Sequence, residues 1–280
     1  MLEHDREAAV RVTALYVYPV KSCAGTPLSV AEIGPRGIVH DREFMVVDAT
    51  GCFLTQRELP RLALIRPTFV GGTLVFAAPA MPVLNMVASD GGPRRRVVVW
   101  RDEVVAVDQG DEVAAWLTSS LGTRVRLVRL PTDSLRRVDP RFARGPADQV
   151  GFADGYPLLL ISEESLSDLN ARLPQAVPMN RFRPNIVVRG WGAPYGEDAW
   201  AAVRIGEIAC DVVKACARCV ITTTDQVTAQ RGAEPLRTLS TYRRVPRGVL
   251  FGQNLIHATC GRLALGDVLT VLRLATALAM

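Results

Sequence analysis

Apolar and polar positions alternate with period two along most of this chain, which is the pattern of half-buried strands. Val10 to Val20 is β-branched and aromatic and predicts a strand ending near Pro19. Leu28 to Ile33, Phe44 to Asp48, Cys52 to Thr55, Thr73 to Ala77 and Val83 to Val87 predict further strands. Arg96 to Trp100 pairs with Val104 to Asp108, and Gly, Pro and Asp break the runs, as in an antiparallel barrel or sandwich. Period 3.6 first appears at Asp111, the expected N-cap, with Val113, Trp116, Leu117 and Leu121 on one stripe and Gly122 as the stop. Arg124 to Leu130 then predicts a strand.

Pro131 to Asp154 loses periodicity, carries three prolines and many charges, and reads as a long connection at a domain boundary. Beyond it, Tyr156 to Ile161 predicts a buried strand, and Ser162 caps a helix over Glu163 to Leu173. Ile186 to Val188 is a strand. Ala202 to Ile205 and Ile208 to Val213 form a hairpin through Gly206-Glu207. A short helix is expected over Leu236 to Arg244, and strands over Leu250 to His257 and Val268 to Leu272. The fold class is therefore mostly β with a few helices (β/α+β). A β-barrel-like unit spans 10–130 and a second unit 131–275.

Composition narrows the class. The 280 residues are 49% hydrophobic and 22% charged, the profile of a soluble globular chain with a sizeable core. Net charge is +5 and the pI is near 9.1, which suits an anionic ligand. The arginine clusters 94–96, 136–137 and 243–244 are short and lack interleaved aromatics, so no nucleic-acid partner is expected. The charged segment Met1 to Ala9 lacks an apolar leader, and no run approaches a membrane span; the Leu272 to Met280 run is too short. No membrane partner and a cytoplasmic setting with six free thiols are expected.

The chemistry concentrates in Val213 to Asp225. Cys216 and Cys219 are three apart, flanked by Lys214 and Arg218, and a β-branched run after Cys219 predicts a strand. Neighbouring cations favour a thiolate, which serves as nucleophile or as soft-metal ligand. Structural zinc would need four ligands, and His4, His40 and His257 are isolated. Lys21, Arg42, Arg57 and Arg183 sit in loops marked by Gly or Pro and are candidate anion-binding cations. No nucleotide-binding glycine fingerprint and no serine nucleophile elbow are present.

Several motifs, in order along nearly the whole chain, resemble the MOSC family and the β-barrel domain that precedes MOSC in many members. They are Tyr18-Pro-Val-Lys-Ser22, Asp41-Arg42, Thr55-Gln-Arg-Glu58 with Pro60-Arg-Leu62, Leu160 to Leu166, Arg181-Phe-Arg-Pro-Asn185, Arg218-Cys219 through Thr223 with Asp225, and Phe251-Gly-Gln253. The resemblance implies a molybdenum–pterin cofactor with Cys219 as metal ligand. It implies cofactor contacts at Lys21, Ser22, Arg42, Arg57, Gly155, Tyr156, Arg183, Asn185, Ala217 and Arg218, Asn185 orienting the arginine loop, and a positioning or proton-supply role for Asp225. Pyridoxal phosphate binding is a further expectation. The implied activity is reduction of N-hydroxylated small molecules such as amidoximes and hydroxylamines. Electrons would come from a separate donor protein of reductase, ferredoxin or cytochrome type. The alternative is a carrier of sulfur or of the cofactor, using a persulfide on Cys219. Three departures accompany the resemblance. Gly155-Tyr156 stands where the animal reductases have hydroxyl residues, and no membrane anchor and no iron–sulfur domain are expected here.

Overall fold

The computed structural model describes residues 9–275. The expectations for Met1 to Ala9, for His4 and for the end of the C-terminal apolar run fall wholly or partly outside those residues.

Four sheets carry the fold. The largest has nine strands and is built mainly from the second half, yet its far edge is N-terminal. Leu269–Leu274 opens it, followed by Trp200–Ile205, Ile208–Arg218, Gly248–His257, Leu158–Ser162, Ile186–Arg189, Arg11–Val17 and Thr26–Leu28, with Arg244–Val245 beside Gly248–His257. All pairs are antiparallel except Leu158–Ser162 with Ile186–Arg189. A parallel pair needs a crossover, and the helix Glu163–Ala171 supplies it. Ser162 caps that helix, its hydroxyl accepting from the Ser165 amide at 3.1 Å. Inward residues of this sheet, among them Val12, Leu15, Leu160, Ile186, Val203 and Leu255, form one core.

The first half supplies a four-stranded sheet, Phe44–Val47, Arg126–Arg129, Asp102–Asp108 and Arg94–Val99. A three-stranded one follows the chain through Arg66–Val70, Thr73–Ala77 and Leu84–Val87. The helix Asp111–Leu121 buries Val113, Trp116, Leu117 and Leu121 against Phe44, Leu74 and Phe76. Gly122 ends it in the left-handed region at φ 72°, where a glycine has no Cβ to clash. Its N-cap is Gly110 rather than Asp111; Asp111 is the first helical residue and pairs with Arg126 at 2.8 Å. The fourth sheet joins Gly261–Ala264 to Val30–Gly34 and Gly37–Ile38.

Three strand expectations change. Leu28 to Ile33 breaks at Ser29 into Thr26–Leu28 and Val30–Gly34, which belong to different sheets. Cys52 to Thr55 makes only isolated bridges, to Val98 and Val47. Val220–Thr223 is a 3-10 turn rather than a strand, so the long strand stops at Arg218 and Cys219 becomes the N-cap of the turn. β-Branched side chains raised the strand expectation, but the Thr222 amide and hydroxyl both bond the Cys219 carbonyl, at 3.1 and 3.0 Å, and close the turn.

Candidate functional site

The strand Ile208–Arg218 delivers Cys219. It pairs with Gly248–His257 through two register shifts, between Val212 and Lys214 and between Ala215 and Ala217. Bulges bend a strand and re-aim its side chains. Here they act on Lys214, Cys216 and Arg218, just before the strand end. All three line a cleft of about 320 Å³, as does Cys219.

The cleft lies between the two halves of the sequence. Lys21, Ser22, Arg42 and Arg57 reach it from the first, and Gly155, Tyr156, Arg183, Asn185, Ala217 and Arg218 from the second. Of the candidate site residues, only Asp225 is not on its wall. Ser22, Arg42 and Arg183 adopt positive φ, at 68°, 46° and 57°. Non-glycine residues in that region cost of order 1–3 kcal/mol each and cluster at ligand-binding sites. Gly151 permits the same crowding, because a Cβ there would lie 2.8 Å from the Arg42 carbonyl oxygen.

Two guanidinium groups lie over the Tyr18 ring, Arg42 at 4.1 Å and Arg183 at 4.4 Å from its centroid. Arg42 donates to Asp41 at 2.6 Å and to Asn185 Oδ1 at 3.1 Å. Asn185 also accepts from the Leu159 amide and donates to the Tyr16 carbonyl, so it is fixed and in turn fixes Arg42. Arg183 Nη1 donates to the Cys23 carbonyl at 2.6 Å, while its Nη2 is buried with no partner. Burial, with Arg42 nearby, pulls its pKa down to about 10. Arg218 is bound by the Phe251 and Phe182 carbonyls at 2.7 and 3.0 Å, and its Nη2 is likewise buried and unpartnered. Buried charged donors without acceptors are costly. Two on one cleft wall fit an anionic ligand.

Lys21 is buried, which pushes its pKa down; Asp154 partly offsets this. Its ammonium donates to the Phe152 carbonyl at 2.8 Å and pairs with Asp154 at 2.5 Å. Arg57 donates to the Cys219 sulfur at 3.1 Å and lies over the Trp100 ring at 4.7 Å. Burial pushes the Cys216 thiol above its usual pKa. Tyr156, stacked edge-on to Phe142, is pushed up to about 12 by burial. The Gly155 position is open, with nothing within 4 Å of where a side chain would begin.

Asp225 does a different job. Its Oδ1 accepts from the Val227 and Thr228 amides and the Thr228 hydroxyl, and its Oδ2 faces Arg181 at 3.4 Å. It closes a turn, as an aspartate bonding the backbone two residues on commonly does. Asp154, Trp100, Tyr18 and Gln56 are missing from the sequence-derived set. No local motif marks the first two, while Tyr18 and Gln56 stand inside motifs that had been singled out for their neighbours.

The class defined here is a two-part β protein with a cation-lined cleft that has a cysteine on its wall. Residues 9–124 match the MOSC N-terminal beta barrel domain and residues 147–270 the MOSC domain. The chain belongs to the MOSC family. It is 35% identical over 274 residues to human mitochondrial amidoxime-reducing component 1, covering 91% of this chain and 81% of that one. Identity to human mitochondrial amidoxime reducing component 2 is 36% over 242 residues, covering 83% and 72%. The molybdenum cofactor sulfurase of Arabidopsis thaliana is 33% identical over 263 residues, which cover 85% of this chain but 32% of the sulfurase.

Two expectations are corrected. The cytoplasmic setting does not stand, because the amidoxime-reducing relatives are named as mitochondrial proteins. No described helix is long and apolar enough to cross a membrane. Pyridoxal phosphate binding does not stand either. Both matched domains are of the MOSC type, and an imine needs a free lysine amine. The chain has two lysines: Lys21 is tied to Asp154 and Phe152, and Lys214 lies over the Phe142 ring at 4.8 Å.

Proposed function

We propose that this protein is a molybdenum-cofactor-dependent oxidoreductase that reduces N-hydroxylated compounds, with electrons from a separate donor protein. The observation that carries the reading is the pair of unpartnered buried guanidinium N–H groups, of Arg183 and Arg218, on the same cleft as the Cys219 thiol. Family membership and the amidoxime-reducing relatives support it.

The donor set fits a pterin-borne metal. Among the described residues no three His, Cys, Asp or Glu side chains group as a metal site. Cys219 would thus be a single protein thiolate, and the cofactor would bring the remaining ligands. Arg183 and Arg218 would hold its anionic group through their unpartnered Nη2 groups, and Lys21 and Arg42 would add charge. Ser22, Gly155, Tyr156 and Ala217 would line the cofactor, and Asn185 would keep Arg42 oriented. The modules 10–130 and 131–275 would share the site. When bound, the cofactor would supply the two-electron redox chemistry. The balance is R–NHOH + 2e⁻ + 2H⁺ → R–NH₂ + H₂O. Arg57 would hold the Cys219 sulfur by its N–H, and Trp100 would hold Arg57.

The test is elemental and pterin analysis of protein from a cofactor-producing host, with amidoxime reduction measured alongside. Molybdenum near one equivalent, lost together with activity in Cys219→Ala, is the expected result. A stoichiometric persulfide on Cys219 with no molybdenum would overturn the reading in favour of a sulfur carrier.

A further inference from the structure

Among the described residues, Asp154 is the single acidic one on the cleft wall, against seven cations: Lys21, Arg42, Arg57, Arg181, Arg183, Lys214 and Arg218. The charges are sorted by depth. The side chains of Lys21 and Arg42 are 5% and 11% exposed, whereas that of Asp154 is 66% exposed. Trp100 stands beside it, 41% exposed, and donates from Nε1 to Asp154 Oδ1 at 3.2 Å. Lys21 bonds the same Oδ1, and Asp154 Oδ2 has no hydrogen-bond partner among the described residues. Trp100 also holds a positive φ of 58°, a strained backbone for a bulky side chain. Its other neighbours are Arg57, stacked on its face, and Phe53, tilted at 5.0 Å.

A carboxylate serving only to neutralise Lys21 needs neither a free oxygen nor an exposed indole beside it. A carboxylate oxygen next to an aromatic edge is the chemistry that recognises a planar, N–H-rich cation. We propose that Asp154 Oδ2 and Trp100 form the substrate-selecting lip of the cleft, receiving the N–H face of amidine- and guanidine-type bases. This rests on the reductase reading and narrows its substrate class. N-hydroxylated amidines and guanidines carry a second N–H group that Oδ2 can accept, and their reduced products are cations that pair with it more strongly. Hydroxamic acids offer a carbonyl in that place and gain nothing from Asp154. The inner cations meanwhile would be offset by an anionic ligand.

The experiment uses the cofactor-loaded protein and benzamidine as a probe, with its affinity measured by titration calorimetry. Asp154→Asn is the variant, since its Oδ1 still accepts from Lys21. Benzamidine binding is expected to weaken at least about tenfold, the loss of one charge-assisted hydrogen bond. KM for benzamidoxime should rise while KM for N-hydroxybenzamide stays within about twofold. Asp154→Glu should recover part of the benzamidine affinity. Unchanged benzamidine affinity in Asp154→Asn, or an equal rise in KM for both substrates, overturns the proposal. Failure of the reductase reading shows separately, as missing molybdenum and missing turnover in the unsubstituted protein. If Asp154→Asn loses molybdenum while benzamidine affinity holds, Asp154 only supports Lys21 and the proposal is again overturned.

Discussion

Arg57 Nη2 donates to the Cys219 sulfur across 3.1 Å, although 162 positions separate the two residues. A charge-assisted N–H to sulfur stabilises a thiolate and fixes its direction. Trp100 under the guanidinium removes its freedom to swing away. A strap holds the backbone below it. Arg231 Nη2 donates to the Gln56 and Arg57 carbonyls, and the Gln56 and Gln226 amides bond each other.

Replacing Arg57 should therefore change the metal–sulfur environment without unfolding the protein. Arg57→Ala is expected to lower turnover by about 10- to 100-fold, the usual effect of losing a partner that orients a metal ligand. Arg57→Lys should recover less than half, because an ammonium cannot both stack on Trp100 and aim a planar N–H. Kinetics together with the molybdenum(V) spectrum would check this. An unshifted spectrum would mean that the hydrogen bond is absent in the loaded protein.

Arg183→Lys should release cofactor. The guanidinium spans the Cys23 carbonyl and an open position, and lysine cannot do both. A loss of cofactor affinity on the order of 1.5–3 kcal/mol is expected, as for a hydrogen bond to a charged group. Pterin retained after gel filtration measures it.

Asp225→Ala should cost stability and leave chemistry nearly intact. Three hydrogen bonds to its Oδ1 close a turn, and losing such a cap costs about 1 kcal/mol. These bonds, the Thr228 amide first, hold its carboxyl below the usual range. Their contribution is therefore present above the unfolded-state pKa and is lost as pH falls through the folded one. A kcat reduced tenfold or more at unchanged melting temperature would restore Asp225 to the reaction.

His257 should make the fold acid-sensitive. Burial, only partly offset by a backbone hydrogen bond at Gly34, lowers its pKa, and its Nδ1 has no partner. Arg144 donates to the His257 carbonyl nearby. Below about pH 6.5 the unfolded chain binds a proton that the folded one resists. The unfolded state then holds more protons, so stability falls as pH falls through that range, by about 1.4 kcal/mol per unit of pKa difference at most. His257→Gln should flatten this part of a pH series of urea midpoints.

The sequence by itself determined the local elements. Periodicity and the Gly122 stop placed the helix Asp111–Leu121, the Ser162 hydroxyl marked the start of the next, and alternation placed most strands. These signals act over a few residues and are readable without a partner. Flanking cations marked Cys219, Gly- and Pro-marked loops marked the four cations, and motif resemblance then determined the family and the roles expected of them. Only the tertiary structure decided how they combine. The bulges that turn Arg218 and Cys219 into the cleft arise from pairing with Gly248–His257, and the turn after Cys219 overrides a β-branched run. The Asp154–Lys21 pair, the Trp100 support and the turn-closing role of Asp225 depend on groups brought together from positions far apart or folded back locally. Register and long-range packing create those contacts, and a one-dimensional pattern carries no record of either.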